Sequence, residues 1–492
     1  MTALASALPL AIVLAAMGLA HLSAARAGAL GLAAALVVAL GLFGMPGGVT
    51  ATLTGAGAEA LTSTATILWI VLPALALYEF QSRTGALDRI RDALTGLTAD
   101  RRVQAILIAW FFGLFMEGAA GFGTPVALAA PLLVGLGYPP VRAVVLALLG
   151  HAAGVSFGAV GTPTLAQIDL TGLSPTALSG LVALMQAAIS PLLLLATVRL
   201  AGEGRLIASD LAWTALAWLC FALPSVALAA LTGPELPSLG GALIGLAAFA
   251  AVLARRSRGT VPNLAALARD LAPYAAILAL VLATRLIGPV QAALGGWTLD
   301  WTMGARFSGS FAPLYHPGTL LIAGLVLGAA ATGRTAELPA AARGALARAW
   351  PVALALLAML ALSRVMVHGG LIGALAEAAA TTGAVWPLLA PLIGVLGTFV
   401  TGSATASNIL FTEFQTGVAA QLALPPLALA AAQGFGSAVG NIIAPHNIIA
   451  GSATVGLVGR EGAVLSRTLP ICAAAALAGG LLTLLATRAL PL

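Results

Sequence analysis

Apolar runs of about twenty residues recur along the whole chain, separated by short polar turns. Twenty helical residues rise about 30 Å, the thickness of a bilayer's hydrocarbon core. The pattern predicts spans near 3–22, 28–46, 62–82, 102–136, 140–163, 176–198, 211–231, 238–254, 271–289, 316–333, 349–367, 384–423, 425–458 and 468–488. The expected fold class is an all-α polytopic membrane protein of about 12–14 transmembrane segments. Short segments of alternating polarity, the mark of a membrane barrel, are absent.

Four predicted spans, 102–136, 140–163, 384–423 and 425–458, are interrupted by glycine, proline and uncharged polar residues. No backbone group stays unpaired in lipid, so broken helices must line protein or a wet cavity. The first break, EGAAGFGTP (117–125), has glycines that let the chain leave helical geometry and a proline suited to a new first turn. Its candidates are Gly118, Gly121, Gly123 and Thr124. The third, TGSATASN (401–408), supplies Ser403, Thr405, Ser407 and Asn408. The second supplies Ser156, Thr162 and Thr164, and the fourth Ser437, Asn441, His446 and Asn447. Restarting helices present free N–H groups and a positive dipole end, so these residues form a candidate site for a small anion with a carboxylate and a hydroxyl. Gly/Ser packing seams between helices have the same composition.

The breaks are arranged as a repeat. GLFMEGAAGFGTP (113–125) resembles GTFVTGSATASNI (397–409) at a spacing of 284 residues, and HAAGVSFGAVGTP (151–163) resembles QGFGSAVGNIIAP (433–445) at 282. The first copy follows an arginine-rich loop and the second an arginine-free stretch, so the two enter the membrane from opposite sides. Inverted repeats with helices broken at the midplane characterise many secondary transporters.

Composition narrows the class. Of 492 residues, 60% are hydrophobic and 8% charged, and mean hydropathy is +1.06. The 22 basic residues are all arginine. A net charge of +6 does not point to nucleic acid, because the arginines sit in short loops. The loops at 83–102, 199–205, 255–269 (with Arg258), 334–348 and 460–467 are placed in the cytoplasm; 47–61, 164–175, 232–237, 290–315 and 368–383 face outward. Cys220 and Cys472 lie far apart in apolar runs and form no metal motif. The first apolar run lacks a basic n-region and reads as a span. No cofactor or metal is expected, and an intramembrane enzyme lacks a nucleophile–base pair.

Glu117 falls about mid-bilayer, where an ionisable residue is a functional candidate. A carboxyl there can exchange a proton, or serve as a neutral group that fixes the break. His151 and His446 lie near breaks; each is a proton-carrier candidate or a satisfied hydrogen-bonding group. Arg364 and His368 are expected to snorkel at an outer helix end, with Arg364 alternatively drawing in an anion. Glu79 and Arg83 are spaced to pair with each other. The segment 88–102 reads as a short interfacial helix or solvated loop.

The motifs EGAAGFGTPVALAAPLLVGLG (117–137), VSFGAVGTP (155–163), TGSATASN (401–408) and GNIIAPHNIIAGSATVGLVGREG (440–462) make the chain resemble the L-lactate permease family over nearly its whole length. The resemblance implies an elevator-type transporter of the inner membrane. It also implies proton symport of L-lactate, D-lactate or glycolate, and often a homodimer. The family pattern has an acidic residue at Ala404, a basic one at Asn441 and an asparagine at His151. On this reading 102–198 and 349–492 form the transport core, and 1–101 with 199–348 the remaining spans, the N-terminal pair and 211–289 serving as scaffold. Glu117 and His151 are the expected proton-coupling residues. A sodium-coupled anion transporter of similar fold is the alternative, since hydroxyls and carbonyls at breaks also hold Na⁺.

Overall fold

The computed structural model describes residues 2–491 apart from 21, 46, 122, 257–262, 305 and 458; Arg258 of the third basic loop lies outside the described residues. Among the described residues, twelve helices are long and apolar enough to cross a membrane, as the apolar runs lead one to expect.

The first helices are α1 (Thr2–Gly18), α2 (Ala24–Val38) and α3 (Val49–Arg83). The third is longer than its predicted span 62–82. Residues 49–61 extend it outward, with Thr54 and Thr62 donating back to carbonyls one turn earlier. After α4 (Ala86–Thr95), α5 (Arg101–Ala105) starts on the Asp100 cap. It widens into a π-helical stretch over Ile106–Phe112 and ends as α6 (Gly113–Ala119). Then come α7 (Thr124–Gly135), α8 (Pro140–His151), a 3₁₀ segment (Ala152–Phe157), α9 (Gly158–Thr171), α10 (Pro175–Ala201), α11 (Ala208–Thr232), α12 (Pro237–Arg256) and α13 (Leu264–Leu286).

The outer loop 290–315 is not plain loop. It carries the end of α14 (Gly288–Gly295) and an antiparallel hairpin of β1 (Leu299–Met303) and β2 (Phe307–Phe311). The hairpin sits on α3: Phe307 fills the space left by Gly55, and Trp301 Nε1 donates to Thr62 Oγ1 at 2.9 Å. There follow α15 (Pro317–Ala331), α16 (Leu338–His368), α17 (Leu371–Ala380), α18 (Trp386–Thr401), α19 (Ala404–Gln421), α20 (Pro426–Gly440), α21 (Pro445–Thr454) and α22 (Glu461–Ala489). The outer stretch 368–383 therefore also holds a helix, α17.

Two apolar cores hold the bundle. One joins α4–α13, α15 and α20–α22 with the inner half of α3; the other joins α1–α3 with α16–α19. The inner ends of α3 and α16 are tied by charge, though not by the pair expected from spacing. Glu79 meets Arg348 at 2.6 Å and Arg83 meets Glu337 at 3.5 Å, because the helix alongside offers closer partners than the next turn. The 86–95 helix buries Leu87, Ile90 and Leu94 while Arg89 reaches Asp270 at 2.6 Å.

Candidate functional site

The four breaks fall at matching places in the two copies: α6/α7 and α18/α19 part at 120–123 and 402–403, and the chain leaves α8 and α20 at 152–157 and 441–444. Positive φ at Gly121, Gly123 and Gly402 (+58°, +78°, +69°) makes the turns. The second break is the most contorted. Ala159, Val160 and Gly161 are three successive left-handed residues (φ 43°, 54° and 86°), and at Gly161 a Cβ would lie 2.4 Å from the Pro234 carbonyl oxygen. For a non-glycine residue that conformation costs about 1–2 kcal/mol, so surrounding packing must hold it.

The breaks open on one cavity of about 730 Å³. Its wall is built from Gly121 and Gly123 before α7, Ser403–Ala406 at the start of α19, His446 and Asn447 in the first turn of α21, and Thr162 just after the left-handed turn. Three helix N-termini thus converge on a space large enough for a small acid. Ser403 caps α19, its Oγ accepting from Ala406 N at 3.3 Å. The far wall comes from α2, α3 and α16, with Ile67, Val71, Leu356 and Met359. Exposed Arg26 and Trp350 stand on the same side, at the end of α16 that follows Arg343 and Arg348. By the arginine rule that end is cytoplasmic, so the cavity opens inward.

Glu117 closes the deep end. It is 5% exposed and packs against Gly158, where a Cβ would lie 2.1 Å from its Oε1. Its Oε2 is 3.9 Å from His151 Nε2. His151 is fully buried behind it, and its Nδ1 donates to Ala147 O at 2.7 Å. Its Nε2 faces Asn441 Oδ1 at 3.3 Å, and Asn447 Nδ2 donates to that same oxygen. Glu117, His151, Asn441 and Asn447 therefore form one polar chain from the deep wall to the α21 turn. His446 stands between the two breaks, its ring against Gly123 and its Cβ against Gly402.

Seven predicted binding residues stand off the cavity wall. Gly118 faces α12, where a Cβ would meet Leu239 N at 2.4 Å. Thr124 begins α7 outside the lining. Ser156 and Ser437 both donate to Gly434 O, at 3.0 and 2.9 Å. Ser407 donates to Gly394 O at 3.0 Å, and Asn408 to Pro163 O at 3.0 Å. Ser156 and Asn408 tie one broken segment to another, Ser407 ties the two halves of its own, and Ser437 bonds within α20. Thr164 also stands off the wall and bonds within its own segment, donating to Ser156 O at 2.7 Å. Arg364 does not snorkel: it is 9% exposed and bonds Glu413, while His368 Nε2 lies 2.7 Å from Glu59 Oε2. Arg26 and Trp350 line the cavity with no motif to mark them, and Thr401, which opens TGSATASN, lines it too. No group of three or more His, Cys, Asp or Glu fit to hold a metal occurs among the described residues.

The sequence profile of the L-lactate permease family matches residues 2–262 and 303–490. An L-lactate permease of Streptococcus iniae is 31% identical over 407 residues, covering 79% of this chain and 84% of its own. The glycolate permease GlcA of Escherichia coli is 27% identical over 99% of this chain and 95% of its own. Among solved structures, the YdaH transporter of Alcanivorax borkumensis superposes with a TM-score of 0.50 at 17% identity, over 88% of this chain and 87% of that one; the likeness is one of fold.

Proposed function

The chain belongs to the L-lactate permease family, and we propose that it carries small 2-hydroxymonocarboxylates (L-lactate, D-lactate and glycolate) across the membrane together with a proton. It is a multi-pass membrane transporter rather than an enzyme, consistent with the inner membrane of bacteria.

The observation that carries the proposal is a single cavity onto which the breaks of both repeat copies open, with a buried carboxyl at its deep end. A monocarboxylate needs donors for its charge, and the N-termini of α7, α19 and α21 with Ser403, Thr405, His446 and Asn447 are placed to give them. Glu117 is assigned the proton: it faces the cavity, and a charge left there would be costly without one. His151 sits within one short step of it and orients Asn441. The repeat segments 102–198 and 349–492 carry the site in this reading, and the N-terminal spans with 199–348 brace it.

The test is uptake of labelled L-lactate by proteoliposomes under an imposed pH gradient. Accumulation that follows the pH gradient and collapses with a protonophore is expected. Accumulation driven instead by a sodium gradient would overturn the proton assignment, and no uptake by folded protein would overturn the substrate class.

A further inference from the structure

A second set of charged side chains lies inside the membrane region, beyond the cavity on its outer side. Arg364 of α16 bonds Glu413 of α19 and stands 3.7 Å from Glu59 of α3. Ser363 Oγ donates to Glu413 Oε2 at 2.9 Å. His368, at the outer end of α16, meets Glu59 at 2.7 Å. The Glu59 and Glu413 side chains are 13% and 14% exposed. Two further charges face the group: Asp169 of α9, within reach of Arg364 and Glu59, and Arg306 of the hairpin, whose Nη2 donates to His368 O at 2.8 Å. Burying so many charges in one place is expensive unless they balance.

The balance turns on one hydrogen. At 2.7 Å from a carboxylate oxygen, His368 Nε2 holds a hydrogen toward Glu59. Asp169 hydrogen-bonds Ser63 and Arg306 the His368 carbonyl, so the carboxylates in direct ion contact are Glu59 and Glu413, against Arg364. With a hydrogen also on His368 Nδ1, two carboxylates meet two cations. Without it, two carboxylates share one guanidinium.

We propose that Glu59, Arg364, His368 and Glu413 form a proton-binding site of their own, and that its occupancy holds the outer seam between α3–α16 and α19 shut. The cavity opens at the opposite, cytoplasmic end, so a solute from outside reaches Glu117 only when this seam parts. Losing the proton leaves like charges on α3 and α19 across the seam and favours opening. The site answers to external pH and is separate from Glu117; it does not depend on which solute is carried.

Ile67 reports the opening. It lies two turns inward of Glu59 on α3, is 2% exposed and lines the cavity. Ile67→Cys, in a chain whose Cys220 and Cys472 are replaced by serine, is labelled from outside in right-side-out vesicles with a membrane-impermeant thiol reagent. External pH is varied from about 5.5 to 8.5. The thiol's own ionisation is common to every background and cancels in the ratio of rates. With His368 and Glu59 intact, labelling should rise several-fold more with pH than in either variant. His368→Gln keeps an amide donor without a titrating proton, and should label fast and without that extra rise. Glu59→Gln removes the surplus carboxylate, and should label slowly and without it. The proposal falls if both variants follow the parent's pH curve, or if the parent's labelling shows no rise beyond theirs. Should one variant fail to fold, the other decides alone.

Discussion

Glu117 Oε2 lies 3.9 Å from His151 Nε2, with Gly158 pressed against the other oxygen of the same carboxylate. One side chain belongs to the first broken helix and the other to the end of α8, so the two breaks of the first repeat copy meet at a titratable pair.

Replacing Glu117 by Gln keeps the shape and removes the exchangeable proton. The variant should lose accumulation driven by a pH gradient and retain lactate exchange between equal pools. Proteoliposome uptake and counterflow, run on one preparation, separate the two; retained accumulation would remove Glu117 from the coupling step.

Gly158→Ala tests placement without changing charge. Its Cβ would lie 2.1 Å from Glu117 Oε1, but the atom that must yield is the free end of a flexible side chain. The thermal midpoint should therefore stay close to that of the parent, while the ratio of accumulation to exchange falls. A large loss of stability with unchanged coupling would show that Gly158 serves packing alone.

Gly161→Ala should destabilise by more than the conformational cost alone. Gly304 has a positive φ of 61° with open space around it, and Gly161 has 86° with the Pro234 carbonyl in the way. An alanine at Gly304 should cost about 1 kcal/mol from backbone strain. At Gly161 the clash adds to a similar strain, so its thermal midpoint in detergent should fall clearly below that of the Gly304 variant. Equal midpoints would mean that the left-handed turn relaxes freely.

His316 caps α15 at the outer surface, its Nδ1 accepting from Gly318 N at 3.3 Å. Burial, then the nearby Arg285 charge, pushes the imidazole down to about 4. A lowered histidine binds its proton more weakly folded than unfolded. Its stabilising contribution is complete above about pH 6.5 and is lost as pH falls toward the folded value. The thermal midpoint should drop over that window, and His316→Asn, which can still cap, should flatten the drop.

The helices and their breaks were legible because each leaves a local mark: twenty apolar residues, or glycine and proline where the chain turns. What the broken segments' polar residues do was only partly legible. Ser403 and Asn447 line the cavity, while Ser407 and Asn408, in the same motif as Ser403, bond the carbonyls of Gly394 and Pro163. A hydroxyl or amide looks the same in sequence whether it faces a cavity or another helix. Arg26 and Trp350 carry no motif and reach the cavity only through the packing of α2 and α16. The Arg364–Glu413 and Glu79–Arg348 pairs leave no local mark in the sequence for a related reason. Spacing of three or four predicts partners on one helix, and in a bundle the nearer partner is often on the next.

The hairpin at 299–311 gives the outer face a handle. It is fastened to α3 through Trp301 and Thr62, it wedges Phe307 beneath Gly55, and its Arg306 holds the last carbonyl of α16 at His368. An antibody fragment or cyclic peptide that grips these strands would pull on both helices at once. Inhibition from outside the cell therefore does not require a molecule small enough to enter the translocation path.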